Sequence, residues 1–142
     1  MADTLKQRPG PMRLIDATQY RLPLAAKLSI LHRASGVLMF VLLPFIIWMF
    51  DNSISSEVSY ESFTAAFGVG LAGGLIPGWF VKLVTLGLIW SYLHHFCAGV
   101  RHLWMDATHS VTKEQGHSSA IVSFAISLVL TVALGAKLFG LF

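Results

Sequence analysis

Polar and apolar residues in this chain fall into blocks, not into single alternating positions. Three long blocks carry almost no charge: Ala34 to Phe50, Gly78 to Ala98 and Ser118 to Phe142. A helix rises about 1.5 Å per residue, so roughly 20 apolar residues cross the hydrocarbon core of a bilayer. All three blocks are long enough, the first once Leu28 to Arg33 is taken as its polar opening turn. The pattern predicts an all-α membrane protein with three transmembrane helices, at 29–50, 79–102 and 118–142. Residues 1–28 read as an arm and interfacial segment. Pro9 and Pro11 exclude regular helix in the arm, and Pro23 is placed to start a short interfacial helix through Leu24 and Leu28. Residues 51–78 and 103–117 read as loops. Within the first, Phe63 to Gly78 is apolar but holds five glycines and Pro77, which predicts an interfacial or loosely helical approach to the second span.

Composition supports this reading. The chain is 55% hydrophobic and 12% charged, too few charges to clothe a water-soluble domain of 142 residues. The net charge of +3 comes from the N-terminal segment, where Lys6, Arg8, Arg13, Arg21, Lys27 and Arg33 lie. The first loop has no Lys or Arg, and the second has Arg101 and Lys113. The positive-inside rule then puts the N-terminus and the second loop in the cytoplasm. Lys137, near the other surface, can snorkel. Trp48, Trp79 and Trp104 sit near span ends, as an aromatic belt requires. The basic residues mark topology, and no exposed face is left for nucleic acid. No signal peptide is expected, because no short apolar core with a small-residue cleavage site follows the basic arm. The lone Cys97 lies in the second span and reads as a small buried hydrophobe.

Chemistry enters with the run His94-His95-Phe96-Cys97-Ala98-Gly99-Val100-Arg101-His102. Ionisable residues at membrane depth are costly and point to function. At about 100° per residue, His95, Gly99 and His102 fall within about 60° of one another. His94 lies about 100° away, and Arg101 about 120° away on that same side. One face thus presents imidazole, bare backbone and imidazole. Glycine lets a flat ligand or a second helix approach closely, and a histidine nitrogen is a common axial ligand of haem iron. His95 lies about 10 Å deeper than His102. It is placed to hold an iron while His102 and Arg101 sit where haem propionates need cations. The competing structural reading is that these histidines hydrogen-bond between helices. Zinc needs three or four ligands close together, and this face offers two histidines too far apart. A second axial histidine for a six-coordinate haem would have to come from another chain.

The opening turn of the first span is a second constellation. Ser29, His32 and Arg33 share one side of a helix. A hydroxyl and a guanidinium at that depth can hydrogen-bond the carbonyl oxygens of a lipid-soluble quinone. Helix capping by Ser29 and snorkelling of Arg33 to lipid headgroups are the plainer alternatives.

Together the motifs carry a resemblance. Arg8-Pro9, Ser29-Ile30-Leu31-His32-Arg33 with Ser35-Gly36-Val37, and His95 through Gly99-Val100-Arg101-His102 to Asp106 resemble the cytochrome b membrane-anchor family of succinate dehydrogenase, the larger anchor of respiratory complex II. The pattern S-x-x-H-R-x-x-G followed some 60 residues on by H-x-x-x-G-x-R-H is specific as a pair, and the resemblance covers nearly the whole chain. It implies that His95, four residues before the glycine, ligates haem b. It implies that Ser29 and Arg33 line a ubiquinone site with Ile30 near the ring. His32 and His102 would lie by the propionates, with Arg33 and Arg101 as neighbouring cations. It also implies partners: a flavoprotein that oxidises succinate, an iron–sulfur subunit that passes electrons on, and a smaller anchor that supplies the other axial histidine. The location implied is the bacterial inner membrane, with a place in the tricarboxylic acid cycle and respiratory chain. No residue here is expected to oxidise succinate, so the chain is not an enzyme by itself. Three other readings stand beside this one. They are a fumarate reductase anchor, a structural scaffold without cofactor, and, least favoured, a transporter, for which three helices without a repeat are a poor basis.

Overall fold

The computed structural model describes residues 10, 15, 20–109 and 112–141. Arg8, Pro9 and Pro11 of the arm lie outside the described residues. From residue 20 onward the described residues form five α-helices and one small hairpin. The elements are α1 (Leu24–Val41), α2 (Leu43–Ile54), α3 (Glu57–Gly68), strands β1 (Gly70–Leu71) and β2 (Ile76–Pro77), α4 (Gly78–Thr108) and α5 (Lys113–Leu138). α1, α4 and α5 are long and apolar enough to cross a membrane.

Pro23 sits just outside α1, in extended conformation (φ −62°, ψ 155°). Its carbonyl accepts from Ala26 N and Lys27 N. The stretch expected as a separate interfacial helix is therefore the first turn of α1, because no breaker divides Leu24 from Ser29. The break comes later. Pro44 lacks an N–H, and its ring crowds the carbonyl four residues back. The chain accordingly leaves helical geometry at Leu42 (φ −89°, ψ 7°) and restarts with Pro44 in the first turn of α2. α1 and α2 together cover 29–50, with this joint inside.

The glycine-rich stretch resolves into two parts. Its first third completes α3, which opens on a reciprocal cap: Ser59 N donates to Ser56 Oγ and Ser56 N to Ser59 Oγ. The rest is the antiparallel hairpin pairing Gly70 with Pro77 and Leu71 with Ile76. Its turn needs left-handed backbone at Ala72, Gly73 and Gly74. Gly78 then starts α4 under the end of α3. A Cβ there would lie 2.5 Å from the Gly68 carbonyl oxygen and 2.7 Å from that of Phe67. Neither backbone atom can yield cheaply. Gly78→Val is therefore expected to lower the thermal midpoint of the assembled protein, by a loss of about 1–3 kcal/mol, measured as residual folded fraction after heating in detergent.

α4 has 31 residues, about 46 Å of helix, more than a hydrocarbon core needs. α5 begins at a second reciprocal cap, Gln115 N to Thr112 Oγ1 and Thr112 N to Gln115 Oε1. α4 thus runs on to Thr108 and α5 starts at Lys113, so both helices reach into the stretch 103–117 read as a loop.

The three long helices meet at Leu28, Ala98 and Ala120, with Leu24, Ala25 and Phe124 against them. α5 turns a seam of small residues inward: Gly116, Ala120, Ser123, Ser127, Thr131 and Gly135. In lipid such seams replace the hydrophobic effect, because they let backbones approach. A Cβ at Gly135 would lie 2.8 Å from Leu86 Cδ1. The seam hydroxyls satisfy themselves on their own helix: Ser123 donates to Ser119 O, Ser127 to Phe124 O and Thr131 to Ser127 O. Large apolar side chains such as Phe40, Leu103 and Val129 point outward.

Candidate functional site: an imidazole cluster between α1 and α4

α1 and α4 run antiparallel, since Gly36 meets His95 and His32 meets His102, and α2 continues the same direction with Met49 at Thr85. This brings the two histidine-bearing segments face to face. His32 packs between His95 and His102, with ring centroids 4.2 Å and 5.4 Å away. The three imidazoles form one row, half-buried at His32 and His95 and exposed at His102. Gly36 makes the close approach of His95 possible, whereas Gly99 faces His32 at ordinary contact distance. A Cβ at Gly36 would lie 3.0 Å from His95 Cε1, and one at Gly99 would lie 3.8 Å from His32 Nε2.

The hydrogen bonds around His95 fix its tautomer. His95 Nδ1 lies 3.0 Å from the His32 carbonyl oxygen and 3.3 Å from Ser35 Oγ. A carbonyl only accepts. Ser35 has a single proton, and its hydroxyl donates to that same carbonyl at 2.8 Å, so toward the ring it can only accept. Both neighbours therefore require the proton on Nδ1, which leaves the Nε2 lone pair for a ligand. Among the described residues Nε2 of His95 makes no hydrogen bond. A metal-bound histidine characteristically shows this arrangement, its second nitrogen donating to a carbonyl. The donor set fits one axial position of a haem. It does not suit a metal chelated by this chain alone, because among the described residues no group of three or more His, Cys, Asp or Glu is arranged for an ion.

His94 faces elsewhere. It is fully buried in the bundle, stacked on Trp90 at 5.3 Å and tilted against Phe124 at 5.3 Å. Among the described residues neither ring nitrogen has a partner in full hydrogen-bonding geometry, the Leu28 backbone lying near the ring but short of it, and the buried Ser91 hydroxyl has none either. Leaving a buried polar group unpaired costs about 1–3 kcal/mol, and an apolar group of similar size avoids that cost. His94→Leu is expected to leave the thermal midpoint unchanged or to raise it. A large fall would mean that the ring has a partner.

Arg101 also turns away from the imidazole row. Its Nε donates to Ser119 Oγ at 2.9 Å and its Nη2 to the Gly116 carbonyl at 3.1 Å, both on α5. It is 7% exposed and lines a groove of about 450 Å³ with Phe96, Cys97, Val100 and Trp104. Arg33 is exposed and Ser29 half-buried on α1, with Ile30 facing out at 51%. At about 100° per residue Ser29 and Arg33 flank His32 and Gly36 on the side opposite Leu28 and Ser35. They thus border the imidazole row where it is open. Ser35, Gly36 and Ser119 join the site without a chemical signature of their own. The signal that marks the first two is spacing, three and four residues after His32.

The family described as succinate dehydrogenase/fumarate reductase transmembrane subunit matches residues 5–134. The chain belongs to this family. It is similar to the succinate dehydrogenase cytochrome b556 subunit of Paracoccus denitrificans, with 31% identity over 113 residues, covering 80% of each chain. The counterpart from Coxiella burnetii is 30% identical over 121 residues, covering 85% of this chain and 90% of that one. The counterpart from Rickettsia prowazekii is 25% identical over 122 residues, covering 82% and 84%. As a transmembrane subunit of this family the chain is an all-α membrane protein with a non-catalytic place in its complex.

Proposed function

We propose that this chain is the haem- and ubiquinone-binding anchor of a succinate dehydrogenase. The observation that carries the reading is the His95 imidazole, held by α1 with its proton on Nδ1 and its Nε2 lone pair left for a ligand. His95 is the axial ligand of a haem b. The other axial histidine belongs to a second, smaller anchor, because no other described histidine of this chain is held in that way. A haem held there would supply a one-electron centre within the membrane. His32 and His102 complete the row toward the propionates, and Arg33 adds a cation on its open flank. Arg101 is the less favoured propionate partner, since its hydrogen bonds go to α5.

Ser29 and Arg33 form the quinone side of the site, with Ile30 against the ring. The hydroxyl and guanidinium donate to the quinone carbonyl oxygens, which gain negative charge on reduction, so the bonds strengthen as the reaction proceeds. The flavoprotein and iron–sulfur subunits dock on the cytoplasmic side, where the basic N-terminal segment and the α4–α5 connection lie. The membrane is the bacterial inner membrane, crossed at 29–50, 79–102 and 118–142, with the arm 1–28 in the cytoplasm. Succinate oxidation is preferred to fumarate reduction because the cytochrome b556 relatives carry the succinate dehydrogenase name.

The test is a reduced-minus-oxidised spectrum of the purified complex, read with succinate–ubiquinone reductase activity. One b-type haem per flavin is expected. A fully active complex without a haem band would leave the scaffold reading in its place.

A further inference from the structure

We infer that Ser35 is a positioning residue that raises the reduction potential of the haem by weakening the hold on His95, an inference that rests on His95 being a haem ligand. The reasoning starts from the His32 carbonyl. Within α1 that oxygen already receives the Gly36 N–H in the ordinary helical pattern. It also receives the Ser35 hydroxyl at 2.8 Å and the His95 Nδ1–H at 3.0 Å. Three donors converge on an oxygen with two lone pairs. Each donor draws on the same electron density, so each weakens the others.

Ser35 acts on the ring in two opposing ways. By donating to the carbonyl it reduces what the carbonyl offers to Nδ1–H. By presenting Oγ to Nδ1 it offers an acceptor of its own. The distances decide between them. The hydroxyl's bond to the carbonyl, at 2.8 Å, has the ordinary O–H···O length, while the Oγ···Nδ1 contact, at 3.3 Å, is stretched. N–H···O bonds favour about 2.9–3.0 Å and weaken beyond. The competition therefore outweighs the compensation. A weaker pull on Nδ1–H makes the imidazole a poorer electron donor, since outer hydrogen-bond acceptors raise ligand basicity. A poorer donor favours the ferrous state, and second-shell hydrogen bonding is one of the protein's means of setting haem potential. Ser35 is fully buried, so water does not take over its role. Gly36 lets the ring approach closely enough for these bonds to form.

The experiment is a redox titration of the haem in the assembled complex, in native membranes, with ferric low-spin EPR as a second readout. Ser35→Ala is expected to retain haem and to lower the midpoint potential, with EPR g-values shifted toward stronger imidazole donation. If Ser35→Ala does not assemble, Ser35→Thr and Ser35→Val provide a pair of nearly equal shape. Thr is expected to keep the wild-type potential, and Val to show the lowered one. An unchanged or raised potential in Ser35→Ala overturns the inference, as does an equal shift in Thr and Val, which would make the effect steric. His95→Ala separates this failure from that of the underlying reading. If it keeps its haem, the ligand assignment itself fails. If it loses haem while Ser35→Ala leaves the potential unmoved, only the role of Ser35 fails.

Discussion

Replacing His95 with alanine is expected to remove haem from the complex, lowering the haem-to-flavin ratio by at least an order of magnitude. Loss of an outer partner of a metal ligand alone costs about 10–100-fold in affinity, and removal of the ligand costs more. His94→Leu is the control. It lies one residue away but stacks on Trp90 and Phe124 inside the bundle, so its b-type band is expected to persist at full intensity. The measurement is a reduced-minus-oxidised spectrum normalised to covalent or acid-extractable flavin. A normal six-coordinate spectrum in His95→Ala would transfer the ligand role to another histidine.

The second large effect is expected at the quinone flank. Arg33→Ala removes a hydrogen bond from a charged donor, worth about 1.5–3 kcal/mol. That corresponds to roughly 10- to 150-fold in kcat/KM for ubiquinone reduction. Ser29→Ala removes a neutral bond of about 0.5–1.5 kcal/mol and should cost about two- to twelvefold. In both variants, succinate oxidation with a soluble dye as acceptor should stay near the wild-type rate, because that chemistry belongs to another subunit. Parallel loss of both activities would point instead to failed assembly, which the flavin content of the membrane fraction reports. Arg33→Lys is expected to fall between, keeping the charge but not the planar fork of donors.

Much of this was legible in the residues. Long uncharged blocks have one stable form in lipid, so the three long helices follow from hydropathy alone. The shared face of His95, Gly99 and His102 follows from the helical period, and so does the separation of His94 from His95. Contacts between helices were less accessible. Hydropathy puts His32 at the membrane boundary, but nothing in its own segment says that its ring packs between His95 and His102. Arg101 shows the same limit. Its position along α4 placed it near the propionates, while the direction of its guanidinium depended on Ser119 and Gly116 in the next helix. The stretch 63–78 was ambiguous for a local reason. Its glycines permit left-handed turns and close approach, and which of these each one serves is settled only by what packs against it, as the α3 carbonyls do at Gly78.

The short connection between α4 and α5 bears on biogenesis. Those helices are joined across 109–112 and zip along a seam of small residues, so little chain entropy opposes their pairing. The bond between His95 and the His32 carbonyl instead spans 63 positions of sequence and depends on α1 coming alongside. The α4–α5 pair is thus expected to close readily once both helices are in place, and until α1 packs against it the His95 ring lacks the carbonyl that fixes its orientation and tautomer. Docking of α1 completes that ring's environment, and with His95 as the proposed haem ligand, cofactor loading is expected to follow that step.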